Sequence, residues 1–415
     1  MRLVPPPLVP LALLLAACHG HAARPVPVPV PVPVNVDLPL SAGLPAAAPQ
    51  QLGFDSAGLT AAVAYLRTEV DSGAFPGAVL AVGRHGRLAL LAPVGRYGVA
   101  QKDSVQAATL YDLASLTKVV GLTTACMLLV DEGKLALDAP VQRYLPAFQG
   151  SGKERVTIRE LLTHSSGLPA WRPLYRETTT RAAALALVDT TPLEAPAGEQ
   201  FVYSDLGAMV LMQVVEAIAS EPIDRLLASR VFGPLGMSAT RYLPPPSWWR
   251  VTAPTEQDTT FRHRMLRGEV NDANAGRLDG ISGHAGLFSN AGDLSRFAAM
   301  LLNGGAWDSL QLVHSETLAE FTRRQNLPRG SSRALGWDTP DEPRTSSSSA
   351  GTRLSDRAFG HTGFTGTSMW MDPERDLFII LLTNRVNEPD GNTAIRRVRS
   401  RVADLVVDAL THAEL

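Results

Sequence analysis

The chain has 415 residues, enough for one large domain or two closely packed ones, and its hydrophobic share of 45% is that of an ordinary globular protein. The formal net charge is −2 and no basic cluster stands out from the mixed charges, which excludes the electrostatic footprint of a nucleic-acid-binding protein. Only four of the 38 basic residues are lysines, so each lysine position is informative.

The N-terminus has the pattern of a secretory signal of the lipoprotein type. A Met-Arg start precedes an apolar stretch from Leu8 to Ala17, which is too short to span a bilayer. The stretch runs into Leu-Ala-Ala-Cys18, which resembles the bacterial lipobox, whose cysteine becomes the lipidated first residue of the mature protein. We therefore predict a signal peptide over residues 1–17, a lipid anchor on Cys18 and a periplasmic location at a membrane. A plain secretory signal, giving a soluble periplasmic or secreted protein, is the alternative.

A proline-rich segment follows the predicted anchor. Pro-Val pairs repeat as far as Val34, and a run rich in proline and alanine continues to about Gln50. Alternating proline favours the extended polyproline II conformation, which acts as a spacer. The composition therefore predicts a linker over residues 18–50 and a folded domain over residues 51–415.

Hydrophobic periodicity predicts the elements of that domain. In chain order they are a helix from Phe54 to Val70, a hairpin of 78–82 with 88–91, a buried helix from Ser115 to Val130, helices over 158–163, 182–188, 207–219, 223–231 and 294–302, strands over 367–371 and 377–383, and a closing helix over 393–410. Early strands, a helical middle and late strands predict one sheet built from both chain ends. We expect an α/β part over about 51–113 and 303–415 and a helical part over about 114–302.

The string Ser115-Leu-Thr-Lys118 stands at the start of the buried helix. Residues three apart share a helix face, so the lysine amine can reach the serine hydroxyl. A buried lysine, unlike an arginine, can lose its proton and serve as a base. The pair predicts a nucleophile beside its base. For this motif alone, the alternative is a serine N-cap near a lysine that extends from the helix end.

Two later segments complete a candidate site. The tripeptide that begins at Tyr203 (Tyr-Ser-Asp) precedes a helix, and the one that begins at His361 (His-Thr-Gly) precedes the late strands. In this order, S-x-x-K, Y-S-x and H-T-G resemble the motif set of the serine β-lactamase and penicillin-binding-protein superfamily. The flanking strings are similar to its class C β-lactamase-related branch, which includes D-alanyl-D-alanine carboxypeptidases and esterases. These strings cover residues 111–118, 161–168 and 283–289.

The resemblance extends from about Phe54 to the C-terminus and implies an α+β fold of the β-lactamase/transpeptidase type. This fold is an antiparallel sheet flanked by helices, with a mostly helical subdomain and the active site in the cleft between them. No cofactor is implied. No metal is expected either, because no metal-ligand spacing joins His164 and His284, which we interpret as loop-shaping residues.

The resemblance also implies roles for the site residues. Ser115 attacks a carbonyl, Lys118 takes its proton, and the Tyr203 phenol relays a proton to the leaving group. The oxyanion is expected between the backbone N–H groups of Ser115 and Phe364. The substrate-binding set comprises Asp205, His361, Thr362, Gly363 and Phe364.

Two positions depart from the common pattern of the family. Asp205 stands where asparagine is usual, and an ionised carboxylate can only accept hydrogen bonds, which puts ordinary β-lactam handling in doubt. It either pairs with Lys118 and raises the lysine pKa or binds an amine or amide N–H of the substrate. His361 stands where many β-lactamases have lysine. A protonated His361 attracts a substrate carboxylate and predicts pH dependence near neutrality, whereas a neutral one only forms hydrogen bonds.

The sequence therefore predicts a serine hydrolase of the cell envelope. A D,D-carboxypeptidase acting on peptidoglycan stem peptides is the first hypothesis. A β-lactamase and a carboxylesterase of the same fold are the nearest alternatives, so the substrate class is a small peptide, a β-lactam or an ester. A non-catalytic lipoprotein that binds wall fragments is the alternative from another class, with Asp205 as its only support. The sequence does not specify an oligomeric state.

Overall fold

The structure of the protein is a computed structural model, and it describes residues 43–346, 348–388 and 393–411. The predicted signal peptide, Cys18 and most of the predicted linker lie outside the described residues.

Eleven helices are described in chain order. They are α1 Ser56–Asp71, α2 Thr124–Asp131, α3 Ile158–Leu162, α4 Leu174–Glu177, α5 Arg181–Thr190, α6 Asp205–Ala219, α7 Ile223–Leu227, α8 Ala273–Arg277, α9 Ala291–Leu302, α10 Ser315–Thr322 and α11 Ile395–Asp408. Shorter 3₁₀ or π turns cover Pro49–Leu52, Lys118–Thr123, Val141–Arg143, Lys153–Arg155, Ala228–Phe232, Pro246–Val251 and Arg385–Asn387.

The strands form one principal sheet and three small ones. They are β1 Gly77–Arg84, β2 Arg87–Gly95, β3 Tyr111–Asp112, β4 Arg241–Tyr242, β5 Gln257–Asp258, β6 Arg264–Met265, β7 Leu287–Ser289, β8 Ala306–Trp307, β9 Leu310–Gln311, β10 Phe359–Thr362, β11 Ser368–Asp372 and β12 Leu377–Thr383. The principal sheet has the order β10-β11-β12-β1-β2, and every neighbouring pair is antiparallel. As the sequence predicts, both chain ends contribute to it.

The principal sheet is buried on both faces. Along β1, Leu80 and Val82 belong to the core that contains residues of α1 and α11, whereas Val79 and Ala81 belong to the larger core that contains residues of α2, α6 and α9. Successive strand residues point to opposite faces, so this alternation places helices on both sides of the sheet. The predicted fold class, an antiparallel sheet flanked by helices together with a mostly helical region, is confirmed.

The observed elements differ from the predicted ones mainly at their ends. The hairpin strands are longer than predicted, because β1 and β2 leave only His85 and Gly86 between them. The predicted helix from Ser115 to Val130 contains a π turn, Lys118–Thr123, before α2 begins. Such widened turns occur often at functional sites, and this one starts at the lysine of the S-x-x-K motif.

Part of the predicted linker packs against the sheet. Leu44 is buried, and the Leu88 backbone exchanges hydrogen bonds with the Pro45 carbonyl (3.0 Å) and the Ala47 N–H (2.9 Å). Packed structure therefore reaches back to Leu44 rather than beginning at residue 51. The division of the domain near residues 113 and 303 stays a prediction.

Among the described helices, none is by itself long and apolar enough to cross a membrane. One pair, Asp205–Ala219 with Ile223–Phe232, meets the length and composition criteria together but is bent by 70°.

Candidate active site

Ser115 follows a tight turn at the end of β3. Ala114 before it has φ +48°, a left-handed conformation that a non-glycine residue adopts only under constraint. Asp112 supplies the constraint, because its Oδ1 accepts a hydrogen bond from the Ala114 N–H (2.8 Å) and its Oδ2 accepts one from the Asn271 N–H (2.6 Å). Burial raises the pKa of Asp112 to about 6, although these hydrogen bonds act in the opposite direction. The turn presents Ser115 on the wall of a cleft of about 740 Å³.

Lys118 meets Ser115 as the S-x-x-K spacing predicts. Its Nζ donates to Ser115 Oγ at 3.0 Å and to the His284 carbonyl oxygen at 3.2 Å. The same nitrogen lies 4.8 Å from the centroid of the Tyr203 ring, and Lys118 is only 3% exposed. The amine, the hydroxyl and the phenol ring therefore converge at one point.

Asp205 determines the protonation state of Lys118. Its Oδ1 lies 2.7 Å from Lys118 Nζ. Burial by itself lowers the pKa of Lys118, but the negative charge of Asp205, together with contributions from Tyr203, outweighs burial and raises the pKa overall. Lys118 is thus an ammonium at neutral pH in the resting site. Of the two alternatives that the sequence left for Asp205, the structure shows the pairing with Lys118.

Tyr203 is held by the loop that precedes α6. The His164 ring lies against it, with 4.5 Å between ring centroids, and His164 Nδ1 accepts a hydrogen bond of 3.1 Å from the Ser204 N–H. Burial lowers the pKa of His164 well below its ordinary value, so the ring is neutral. Ser204 caps α6 by accepting from the Gly207 N–H (3.0 Å). His164 therefore shapes the loop that carries the phenol.

His361 is buried and neutral. Its Nδ1 donates to the Thr362 carbonyl oxygen at 2.8 Å, so Nε2 carries the lone pair, and Nε2 has no hydrogen-bond partner within the described residues. Burial lowers the pKa of His361 to about 4; the positive charges of Arg333 and Lys118 act in the same direction and Asp338 opposes them. The expectation of a His361-dependent titration near neutrality is therefore wrong. The neutral ring can accept a hydrogen bond but does not attract a carboxylate.

The two predicted oxyanion donors are available. Neither the Ser115 N–H nor the Phe364 N–H donates a hydrogen bond within the part of the chain that is described, and both residues line the cleft. Developing negative charge on a carbonyl oxygen is stabilised by free N–H groups of this kind.

The loop between β10 and β11 is fixed to the segment that precedes Ser115. Thr365 Oγ1 donates to the Asp112 carbonyl oxygen (2.8 Å) and Thr367 Oγ1 donates to that of Leu113 (3.0 Å). A Cβ on Gly363 would lie 2.1 Å from Thr367 Oγ1 and 2.3 Å from the Leu113 carbonyl oxygen, so this position requires glycine. These contacts join the two chain segments that carry the oxyanion donors.

Strand β10 offers a free edge beside the cleft. The Gly363 N–H donates to the Thr367 carbonyl oxygen at 2.8 Å, and hydrogen-bonded pairs alternate along an antiparallel ladder. The backbone groups of Gly360 and Thr362 therefore face away from β11. The backbone groups of Gly360 pair with Asp338 (2.8 and 3.0 Å), and the Thr362 carbonyl oxygen accepts from His361 Nδ1. The Thr362 N–H and the second lone pair of its carbonyl oxygen are left to pair with an extended peptide.

Asp205, Asp272 and His284 form the described side-chain group that could hold a metal, with ligand atoms within 4.8 Å of one another. The group already surrounds a cation, because Lys118 Nζ lies 2.7 Å from Asp205 and 3.2 Å from the His284 carbonyl oxygen. His284 Nε2 lies 2.9 Å from Asp272 Oδ1. Burial would raise the pKa of Asp272, but His284 and Lys118 lower it to about 2. The cluster is best described as the anionic surroundings of the lysine.

One wall of the cleft contains Arg396 and Arg399, and we call it the basic wall. Burial and the like charges of Arg385 and Arg396 lower the pKa of Arg399 to about 9. Arg399 Nη2 donates to the carbonyl oxygens of Gly363 (2.6 Å) and Thr367 (2.7 Å). An anion bound among these arginines would offset the repulsion between their positive charges.

The structure brings the predicted set together. Ser115, Tyr203, Asp205, His361, Thr362, Gly363 and Phe364 all line the cleft, and Lys118 reaches Ser115 from the core. Asp112, Asp272 and the arginines of the basic wall were not among the predicted site residues. Asp112 was detectable as a turn-forming residue close before Ser115, whereas nothing in the local sequence distinguishes Arg396 and Arg399 from other arginines.

This fold and this site define a serine hydrolase of the acyl-enzyme type. The Beta-lactamase family model matches residues 62–403, and the chain belongs to that family. It is 31% identical over 389 residues to a Salmonella typhi protein named "Putative D-alanyl-D-alanine carboxypeptidase", covering 85% of this chain and 88% of that protein.

Two solved structures illustrate the shared fold. A β-lactamase/D-alanine carboxypeptidase from Pseudomonas syringae superposes with a TM-score of 0.69 at 19% identity, covering 87% of this chain and 100% of that one. EstCE1, a hydrolase with promiscuous acyltransferase activity, has a TM-score of 0.68 at 23% identity, with 85% and 99% covered.

Proposed function

We propose that the protein hydrolyses the terminal peptide bond of peptides ending in D-alanyl-D-alanine, through an acyl-enzyme on Ser115. The observation that carries this proposal is the basic wall formed by Arg396 and Arg399 in the same cleft as the Ser115–Lys118 pair. A peptide with a free C-terminal carboxylate places its anion there while its scissile carbonyl reaches Ser115. The name of the Salmonella relative supports the same substrate class.

The proposed acylation uses groups already in contact. Ser115 Oγ attacks the carbonyl, and the oxyanion is held by the N–H groups of Ser115 and Phe364. The Ser115 proton passes to Lys118, which must first give up its own proton, and Asp205 Oδ1 at 2.7 Å is the adjacent acceptor. Tyr203 then relays the Ser115 proton from Lys118 to the leaving amine, so that the phenol ends the step protonated and Lys118 is again neutral. Water then hydrolyses the Ser115 ester and releases the shortened peptide.

Substrate alignment follows from the edge of β10. The backbone of Thr362 pairs with the extended substrate, as in strand addition to a sheet. The carboxylate is bound by arginine rather than by His361, because the histidine is neutral above about pH 4. In this proposal a protonated His361 no longer binds the substrate carboxylate.

We also propose that Cys18 carries a lipid anchor that holds the domain at a membrane facing peptidoglycan. The lipobox-like string supports this location. Replacing Cys18 with alanine is expected to move the full chain from the membrane to the soluble fraction of the producing cells. An unchanged membrane fraction would contradict the anchor.

The test of the activity compares four substrates on the full chain: a D-alanyl-D-alanine peptide, a fluorescent penicillin, a chromogenic cephalosporin and a p-nitrophenyl ester. Intact mass follows the adduct on Ser115. Release of D-alanine with slow loss of the penicillin adduct supports the proposal. Fast cephalosporin turnover identifies a β-lactamase, turnover of the ester alone identifies an esterase, and no adduct with any compound identifies a binding protein.

A further inference from the structure

Asp272 and His284 form a hydrogen-bonded pair beside Lys118, and the acylation steps proposed above use neither side chain. His284 Nε2 lies 2.9 Å from Asp272 Oδ1, and His284 Nδ1 lies 2.7 Å from Ser282 Oγ. Asp272 is ionised at neutral pH, so its oxygen accepts the hydrogen bond and His284 Nε2 donates it. The His284 side chain is only 2% exposed, and both of its ring nitrogens have a partner. The imidazole is therefore fixed between Ser282 and Asp272.

The His284 backbone is one of three acceptors around the lysine amine. Its carbonyl oxygen lies 3.2 Å from Lys118 Nζ, Ser115 Oγ lies at 3.0 Å and Asp205 Oδ1 at 2.7 Å. An ammonium group has three N–H donors, so these three oxygens match its donors one to one. The His284 carbonyl thus fixes the direction in which Nζ points, and the fixed imidazole keeps this carbonyl in place.

Asp272 is connected to the turn that presents Ser115. Its neighbour Asn271 donates its N–H to Asp112 Oδ2 at 2.6 Å, and the other oxygen of Asp112 holds the turn. Asp272 Oδ1 also caps α8 by accepting a hydrogen bond of 2.7 Å from the Ala275 N–H. The carboxylate is therefore held by a helix cap and by the histidine, and its chain segment is fixed to the nucleophile.

Asp272 is also a second carboxylate near the lysine. Ligand atoms of Asp205, Asp272 and His284 lie within 4.8 Å of one another. Burial would raise the pKa of Asp272, but His284 and Lys118 lower it to about 2. Electrostatic coupling between two groups acts on both of them, so Asp272 in turn favours the protonated form of Lys118.

Other titratable and charged groups surround Lys118 and Asp272. The His164 and His361 rings are uncharged at neutral pH, because burial lowers the pKa of each. Arg333 lies 5.3 Å from the centroid of the Tyr203 ring, and its positive charge opposes protonation of nearby groups. Within the described residues the surrounding groups include Tyr203, Asp205, His164, His284, His361, Arg333 and Asp112. Asp205 and Asp272 are the two carboxylates of the cluster around the ammonium.

We propose that Asp272 and His284 are positioning residues for Lys118. His284 directs the amine toward Ser115, and Asp272 supplies a second negative charge that sets, together with Asp205, the pH range of acylation. This inference rests on the proposed acyl-enzyme chemistry of Ser115. The two effects can be separated, because asparagine at position 272 keeps an oxygen for the helix cap and for the histidine but removes the charge.

The test of the charge measures the rate of penicillin acylation of the full chain against pH, with the adduct followed by intact mass. Asp272→Asn should move the acidic limb to lower pH by about one unit, since neutral Lys118 then forms at lower pH. In the double variant with Asp205→Asn, the limb should move further, because burial lowers the pKa of Lys118 and less negative charge opposes it. Asp55→Asn, at the exposed N-cap of α1, is the matched control and should leave the limb in place.

The test of position uses His284→Leu, which removes both side-chain hydrogen bonds. We expect kcat for a D-alanyl-D-alanine peptide and the maximal acylation rate to fall by about tenfold with KM unchanged, because a misdirected amine slows proton transfer and not substrate binding. His284→Gln, whose amide can still donate to Asp272, should recover part of this loss. His314→Leu, at an exposed histidine paired with Asp131, is the matched control.

An acidic limb of Asp272→Asn at the wild-type pH, or equal rates of His284→Leu and the wild type, overturns the inference while the proposed function stands. If thermal unfolding shows that the His284 variants do not fold, the limb of Asp272→Asn decides alone. Wild-type acylation by penicillin without release of D-alanine from the peptide overturns the proposed substrate, and the pH profiles still decide this inference. Absence of any adduct on wild-type Ser115 overturns both.

Discussion

Lys118 Nζ lies 2.7 Å from Asp205 Oδ1 and 3.0 Å from Ser115 Oγ, so a single ammonium group joins the nucleophile to a carboxylate. A base must be unprotonated to accept the serine proton, and the Asp205 charge holds Lys118 in the protonated form. We therefore expect Asp205 to govern the pH at which Ser115 becomes reactive.

Asp205→Asn is expected to move the acidic limb of the kcat/KM profile to lower pH. The carboxylate raises the pKa of Lys118, so its removal increases the fraction of neutral amine at any given pH. Penicillin acylation should persist while the preference among peptide, ester and β-lactam changes. Asp138→Asn, at an exposed ion pair with Arg159, is the matched control. An unmoved limb, or a loss of acylation equal to that of Ser115→Ala, would contradict the role assigned to Asp205.

Lys118→Arg is expected to lower the acylation rate by about 10²- to 10⁴-fold, the usual contribution of a general base. Arginine keeps the positive charge beside Asp205 but does not release its proton. Adduct formation with penicillin, followed by intact mass, measures the effect. Lys134→Arg, at a largely exposed lysine, should acylate normally. Wild-type acylation by Lys118→Arg would show that the amine is not the base.

Gly363→Ala is expected to lower kcat by about 10²-fold, the order of effect of losing one oxyanion donor. The added Cβ would lie 2.1 Å from Thr367 Oγ1, which pushes the loop that carries the Phe364 N–H away from Ser115. Gly207→Ala is the control, because a Cβ there meets its nearest atom at 3.6 Å. Thermal unfolding of both variants separates loss of catalysis from loss of fold. Full activity in Gly363→Ala would show that the loop position does not limit the rate.

Arg396→Ala is expected to raise KM by about tenfold for a peptide with a free C-terminal carboxylate, and to leave KM for its amide unchanged. The guanidinium lines the cleft and can bind the carboxylate but gains little from a neutral terminus. Arg401→Ala, an exposed arginine on the same helix that does not line the cleft, is the control. If Arg396→Ala raises KM equally for the peptide acid and its amide, the substrate carboxylate does not bind at Arg396.

His361 is expected to titrate at about pH 4, and imidazole NMR signals assigned through His361→Gln measure this midpoint. Its pKa is lower in the folded than in the unfolded state, so the unfolded state binds more protons between about pH 6.5 and 4. The free energy of unfolding should therefore fall as pH decreases through this range, and less so in His361→Gln. Urea denaturation at several pH values tests the difference. A midpoint near 6.5 would instead support the earlier expectation that His361 titrates near neutral pH.

Much of the fold is readable from local pattern. The short apolar run along residues 78–82 and the apolar segment that begins at Ser115 involve only neighbours in sequence, which is why the hairpin and the buried helix were predicted near their observed positions. The apolar strands near both chain ends predicted one sheet built from both, whereas the strand order β10-β11-β12-β1-β2 was not predicted and is known only from the structure.

The sequence alone determined which groups are the candidates for the chemistry: Ser115, Lys118, Tyr203 and the His361 tripeptide are recognisable because helical spacing and motif order can be read from the sequence. Only the tertiary structure decided their charge states and surroundings. Asp205 lies 87 positions beyond Lys118 in the chain but 2.7 Å from it in space, and the basic wall comes from α11 near the C-terminus. A pKa depends on burial and on nearby charges, and both are set by packing between distant segments.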